Sequence, residues 1–283
     1  MKKSVSSSVR PWAKIGFVAR SMGSYGALMA GLVSLAWHSV ELEAVPSVRL
    51  EAWDASAVPL VVLDAGHGGH DGGAVAGGTL EKKLALELTL QLREKLLLKG
   101  LRVKLTRSED VFLPLEERAA VANESEATIF VSLHLNTSSS SEVNGIETYF
   151  TERKSLAAQR ALQARWALDS AAVKDERGRW LAENLQNQAC LSTRAASRGI
   201  KERNYAVVSQ TLMPAVLIEC GFLTNAAEAE RLKTEEYQNK LTEGISKGIM
   251  LFLKAHPRDS RRGIHLLAGP ATAPAEEREQ AAR

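Results

Sequence analysis

Leu60-Val61-Val62-Leu63-Asp64-Ala65-Gly66-His67-Gly68-Gly69 opens the ordered part of the chain. Its first four residues are apolar without a break, which suits a short strand buried on both faces. Small and glycine residues follow at once, as a tight turn requires. Two more segments repeat the pattern. Ala127-Thr128-Ile129-Phe130-Val131-Ser132-Leu133 ends at His134, and Ala215-Val216-Leu217-Ile218 ends at Glu219. Between them lie helical patterns. Leu84, Leu88, Leu92 and Leu96 recur every four residues from Glu81 to Lys99, and Gly100 closes that helix. Leu115 to Asn123 and Ala226 to Ala255 also read as helical, the latter with an interruption. Residues 155–195 read as mostly helical, broken near Gly178. Leu101 to Thr106, Gly145 to Phe150 and Tyr205 to Val208 read as strands. Strands alternating with helices imply an α/β layer fold around a largely parallel sheet.

The flanks read differently. Lys2, Lys3, Arg10, Lys14 and Arg20 form a basic leader, and no charge occurs from Ser21 to Trp37. Ser34-Leu35-Ala36 offers small residues of the kind a signal peptidase reads. Residues 1–37 are therefore expected to be a secretory signal or an N-terminal anchor, and 38–57 a linker. The chain would then act outside the cytoplasm, in the periplasm or cell envelope. Residues 58–255 form the expected catalytic domain. The Pro-, Arg-, Ala- and Glu-rich tail 256–283 is expected to be disordered.

Composition excludes some classes. The net charge is +3 over 283 residues, too weak a field to point to nucleic acid. Two cysteines, Cys190 and Cys220, are too few for a disulfide scaffold or a cysteine metal cluster. They could form one bridge or remain two buried thiols. No Gly-x-Ser-x-Gly elbow, Walker phosphate loop or Gly-x-Gly-x-x-Gly fingerprint is present.

In open α/β sheets, ligands bind outside the carboxyl ends of strands. His67, His134 and Glu219 each follow a buried apolar run, so one shared site is expected. His67 lies among glycines that leave room beside its ring. The same glycines also suit a plain strand-to-helix turn, and the residues alone leave the two readings even. Glu81 opens a helix, where a carboxylate is favoured by the helix dipole. It could equally complete a set of two imidazoles and one carboxylate, a known zinc set with one position left open. Zinc would lower the pKa of water and polarise a carbonyl. Glu219 is costly to bury unless paired or functional. It could serve as general base and then as proton donor to a departing nitrogen. Alternatively it is a salt-bridged residue, with Arg107 or Arg118 as partner.

The sequence resembles the zinc-dependent N-acetylmuramoyl-L-alanine amidases of the amidase-3 type. Val62 to Gly69 with Asp71-Gly72-Gly73-Ala74 is similar to that family's first block, and Glu81-Lys82 to its second. Leu105 to Asp110 with Leu115 to Asn123 is similar to the third, Phe130 to Asn136 to the fourth, and Met213 to Phe222 to the fifth. The blocks run in family order from about Pro59 to Leu253. The resemblance implies zinc ligands at His67, Glu81 and His134, and a catalytic carboxylate at Glu219. It implies a three-layer α/β/α sandwich around a mixed, mostly parallel sheet. The implied substrate is peptidoglycan, cut at the amide between N-acetylmuramic acid and L-alanine for wall remodelling or daughter-cell separation. Departures occur at Leu135, Thr137, Cys220 and Val207 to Gln210, and none removes a ligand. Residues 153–179 resemble an insertion that covers the zinc in some members until an activator protein removes it. A regulatory insertion is therefore one expectation here, and a solvated helical excursion the other. The chain is expected to act as a monomer. Two other activities remain open: a zinc exopeptidase on wall peptides, and a non-catalytic wall-binding protein of the same fold.

Overall fold

The computed structural model describes residues 58–76, 78–166, 172–256 and 264–267. The expected leader and linker, residues 1–57, lie outside the described residues. Six strands form the main sheet: β1 (Leu60–Ala65), β4 (Arg102–Leu105), β5 (Ile129–Asn136), β6 (Ile146–Phe150), β8 (Ser197–Glu202) and β9 (Ala215–Phe222). Their order is β4-β1-β5-β9-β6-β8. Neighbours run parallel except β6 and β9, which are antiparallel. Two-residue strands β2 (Val75–Ala76) and β3 (Thr79–Leu80) make a small ribbon.

The alternation of side chains along β1 builds two cores from one strand. Val61 and Leu63 face one layer, where they pack with Ile129, Val131 and Leu133. That layer also holds α1 (Glu81–Leu98), α4 (Arg177–Thr193) and α7 (Glu235–Ala255). Leu84, Leu88, Leu92 and Leu96 of α1 are all buried in it, and each contributes roughly 1.5–3 kcal/mol of transfer free energy. Val62 faces the other side, with Phe130, Ala215, Leu217 and Tyr149. A thinner layer covers that side, including Ala122 of α2 (Leu115–Glu124) and Val207 and Val208 of α5 (Ala206–Ser209). The expected sandwich around a mixed, mostly parallel sheet is the fold observed.

Gly100 ends α1 with φ +79°. Its N–H donates to the Leu97 carbonyl (2.9 Å) and that of Leu101 to the Leu96 carbonyl (3.1 Å), a Schellman closure. At the other end, the Glu81 and Lys82 amides donate to the carbonyls of Ala74 (2.9 Å) and Gly72 (3.2 Å). The glycine loop thus caps the helix and fixes where Glu81 stands.

Several local expectations change. Tyr205 to Val208 is not a strand. The Tyr205 carbonyl accepts the Val208 and Ser209 amides and closes the one-turn helix α5, because Val207 and Val208 find their burial in helical geometry. The break expected near Gly178 lies upstream, since α4 runs through that glycine after α3 (Leu156–Trp166) and strand β7 (Ala172–Asp175). Within the tail expected to be disordered, β10 (Ile264–Leu267) pairs antiparallel with β7. The interruption expected between 226 and 255 separates α6 (Ala226–Leu232) from α7, and Thr234 caps α7 through the Tyr237 amide. Both cysteines are free, Cys190 half-buried and Cys220 buried. Among the described residues, no helix is long and apolar enough to cross a membrane.

Candidate metal centre

His134 and Glu219 do not terminate their strands. Pairing continues to Asn136 and Phe222, because backbone groups bond along the ladder whatever side chains they carry. The two residues are register partners, and Glu219 in turn opposes Glu147 of β6. His134, Glu219 and Glu147 therefore form one row across three adjacent strands. His67 stands two residues beyond β1 with φ +59°, a left-handed conformation that costs a side-chain-bearing residue energy.

Two buried arginines hold that loop. Arg118 donates to the carbonyls of Ala65 (2.7 Å), His67 (2.7 Å) and Leu113 (3.0 Å) and to Asp64 (2.9 Å). Arg107 donates to the carbonyls of Ala65 (2.9 Å), Gly66 (2.7 Å), Lys82 (2.9 Å) and Glu109 (3.0 Å). Asp64 also accepts the hydroxyls of Thr106 and Ser132, both at 2.6 Å. Neither arginine is the partner of Glu219, so the salt-bridge alternative for that carboxylate falls.

The loop brings His67 to Glu81 and His134. Glu81 Oε1 lies 3.1 Å from His67 Nε2 and 2.9 Å from His134 Nδ1. It also accepts the Leu135 amide (3.0 Å), while Oε2 accepts the Ala74 amide (2.8 Å). One potential ligand atom from each residue lies within 4.8 Å of the others. Ligands about 2.0–2.1 Å from a tetrahedral zinc stand about 3.3 Å apart, so the donor set and its spacing fit that ion. Two glycines wrap the cluster. A Cβ at Gly66 would sit 2.6 Å from both ring nitrogens of His134, and one at Gly73 would sit 2.6 Å from Glu81 Oε2 and from His67 Cδ2.

The charges explain the titration. Burial opposes ionisation of Glu81, but the facing His134 and His67 outweigh it and hold the carboxyl well below the usual range. Burial alone would lower His67, yet the Glu81 and Asp71 carboxylates raise it to about 8. Asp71 Oδ2 lies 2.8 Å from His67 Nδ1 and orients the ring. Glu219 is the opposite case. Burial pushes its carboxyl up to about 7, and its Oε2 is buried without a hydrogen-bond partner among the described residues.

All four residues named from sequence meet here. His70 does not join them; its ring packs tilted against Phe112, centroids 4.1 Å apart. Phe112, Leu113, Leu115 and Val207 give the cleft an apolar wall. Sequence reasoning missed Asp71, Arg107, Arg118 and Glu147 as supports. Asp71 alone carried a local signal, since i+4 from His67 is within reach. No described residue of 153–179 is among those lining the cleft. Lys154 is buried against the carbonyls of Met213 (2.9 Å) and Val208 (3.5 Å), and Asp175 pairs with Arg177 at 2.8 Å.

The sheet and cluster define an α/β protein with a His-Glu-His group of a kind that could hold a metal ion, at the carboxyl edge of its strands. Residues 61–250 match the amidase-3 family, N-acetylmuramoyl-L-alanine amidase, and the chain belongs to that family. It is a peptidoglycan amide hydrolase. The chain is similar to the N-acetylmuramoyl-L-alanine amidase LytC of Bacillus subtilis (strain 168), 31% identical over 69% of this chain and 35% of LytC. It thus spans about a third of that relative's length. The catalytic domain of CwlV, an amidase from Bacillus (Paenibacillus) polymyxa var. colistinus, is 36% identical with a TM-score of 0.58, covering 70% of this chain and 100% of CwlV. The CwlD amidase of Clostridioides difficile, solved in complex with the GerS lipoprotein, is 30% identical with a TM-score of 0.60, over 70% and 100% of the two chains.

Proposed function

We propose that the chain is an exported zinc amidase, with His67, Glu81 and His134 holding the ion and Glu219 moving the proton. The observation that carries this reading is Glu219 itself. A half-buried carboxylate whose Oε2 is buried without a partner among the described residues, beside a cluster of metal-ligand type, is suited to take and return a proton. When bound, zinc would supply Lewis-acid polarisation of the scissile carbonyl and a lowered pKa for water. Glu219 Oε2 accepts a proton from the attacking water as the new carbon–oxygen bond forms. It then donates that proton to the nitrogen as the carbon–nitrogen bond breaks. The products are a lactyl carboxylate on the glycan and a free L-alanine amine on the peptide. Asp71 holds the His67 ring, and Arg107 and Arg118 hold its loop. The basic leader supports export to the cell envelope, and the CwlD–GerS complex supports a protein partner as well as peptidoglycan. Wall remodelling or daughter-cell separation is the role consistent with this reading.

The test is metal dependence with residue resolution. Protein purified without stripping should carry about one zinc per chain. A chelator should abolish turnover on purified peptidoglycan, and zinc should restore it. Protein that holds no zinc, ignores added zinc and still turns over would refute the assignment.

A further inference from the structure

Strand order sets the polar residues beside the cluster in a row. The ligand-type residues stand on the β1 and β5 side, Glu219 follows on β9, Glu147 on β6, and the edge strand β8 comes last. Glu147 is buried, with 3% of its side chain exposed, and it carries more than one cation. Arg198 Nε lies 2.9 Å from its Oε2 and Lys201 Nζ lies 2.5 Å from the same atom. Tyr149 Oη donates to Oε1, which also accepts Asn136 Nδ2 at 2.8 Å. Two cations face this one carboxylate, and the Glu228 carboxyl, which accepts the Gly145 and Phe222 amides, lies within electrostatic range of Arg198. Both cations are 35% exposed at the side chain. Both are also oriented by rings: Arg198 lies 4.9 Å from the Phe222 centroid and Lys201 5.7 Å from that of Tyr149. An ammonium has three donors and a guanidinium five, so each head group retains donors for a second anion.

We infer that Arg198 and Lys201 form a ledge that binds a carboxylate of the stem peptide on the leaving-group side of the scissile amide. This rests on the amidase reading. If Glu219 protonates the departing nitrogen, that nitrogen lies beside Glu219 and the peptide attached to it runs outward from there. With the scissile carbonyl toward His67 and His134, outward means across β6 and β8. Adjacent strands stand about 4.8 Å apart, so β8 is about 10 Å from β9, the reach of two or three extended residues. The opposite wall, with Phe112, Leu113 and Leu115, also carries Arg118, but that buried guanidinium is engaged by Asp64 and three carbonyls. The glycan is uncharged once its lactyl carboxyl is tied up in the amide. The anion the ledge fits is therefore an acidic residue among the first three of the peptide. Arg198 and Lys201 act here as specificity-determining residues for the known reaction.

The test compares two soluble N-acetylmuramoyl tripeptides, one with free carboxylates and one with every carboxylate amidated. The wild-type enzyme should favour the free acid in kcat/KM by about tenfold or more, the scale of a charge-assisted hydrogen bond. In the Arg198→Gln/Lys201→Met double variant the ratio of the two should fall to about one, and Lys201→Arg should keep it above about five. Equal rates on the two substrates in the wild type would overturn the ledge and leave the amidase reading standing. Cleavage of neither would overturn both. A ratio that survives in the double variant would overturn the assignment to these residues. Binding of the two product peptides to Glu219→Gln protein, with and without the ledge exchanges, gives the same comparison without turnover. A free-acid preference abolished by the exchanges supports the ledge, and equal binding overturns it.

Discussion

Replacing Gly66 by alanine tests the geometry of the centre with a single methyl group. Gly66 is outside the left-handed region, so alanine brings no backbone strain and acts through contact alone. The added carbon would stand 2.6 Å from both ring nitrogens of His134, whereas non-bonded heavy atoms settle at about 3.5–4.0 Å. Something must move by about 1 Å. The backbone is held, since the Gly66 amide donates to the Leu133 carbonyl (3.0 Å) and its carbonyl accepts Arg107 Nη2 (2.7 Å). The imidazole must therefore shift from its place 2.9 Å from Glu81. A misplacement of about 1 Å at a catalytic site costs about a hundredfold in rate, or about 2.7 kcal/mol of transition-state stabilisation. Overpacking should cost about 1–3 kcal/mol of stability, roughly 2–12 °C in Tm for a domain of this size. The assay is kcat/KM on a soluble muropeptide, with zinc content by elemental analysis and Tm by calorimetry. A folded variant with full zinc and near wild-type kcat/KM would refute the idea that this contact fixes the ligand.

Three further outcomes follow from the site. Glu219→Gln should keep its zinc and lose turnover by two to four orders of magnitude, while His134→Ala should lose both; a near-normal rate in Glu219→Gln would remove the general-base role. Arg118→Gln should lower stability by about 3–5 kcal/mol, because the buried Asp64 keeps only hydroxyl donors and loses its cation, and denaturant unfolding showing a loss below about 1 kcal/mol would contradict that. In metal-free protein, Glu219 titrates near 7 in the fold and in the usual carboxylate range when unfolded. The folded state binds more protons between about pH 4.5 and 7, so its contribution is complete below that window and lost as pH rises through it. Glu219→Gln should flatten the fall of Tm over that window, and an unchanged slope would count against the raised carboxyl.

What the sequence disclosed, and what it withheld, follows from the range of each interaction. β1, β5 and β9 were legible because strands buried on both faces must be apolar throughout their cores. Edge strand β8 was not. Arg198, Lys201 and Glu202 keep it polar, and only one neighbour pairs with it, so no periodic apolar signal arises. Val207 and Val208 suggested a strand by residue type, but a short turn closed by Tyr205 buries them equally well. The four central side chains showed themselves because glycines or apolar runs bracket them. Their supports stayed hidden because the partners come from far along the chain. Glu147 meets Lys201 and Arg198 more than fifty residues on, and Arg118 meets the His67 carbonyl over a similar separation. Nothing local distinguishes such an arginine from a solvated one on an exposed helix face.

The central claim is that this site cuts the muramoyl–L-alanine amide with a bound zinc. The most direct measurement is digestion of purified peptidoglycan by the protein, with and without a chelator, with products identified by mass. The account predicts intact stem peptides bearing a free L-alanine amine, glycan strands bearing free lactyl carboxylates, and neither product when the chelator is present. Release of single amino acids, or the same products at the same rate in the presence of chelator, would contradict it.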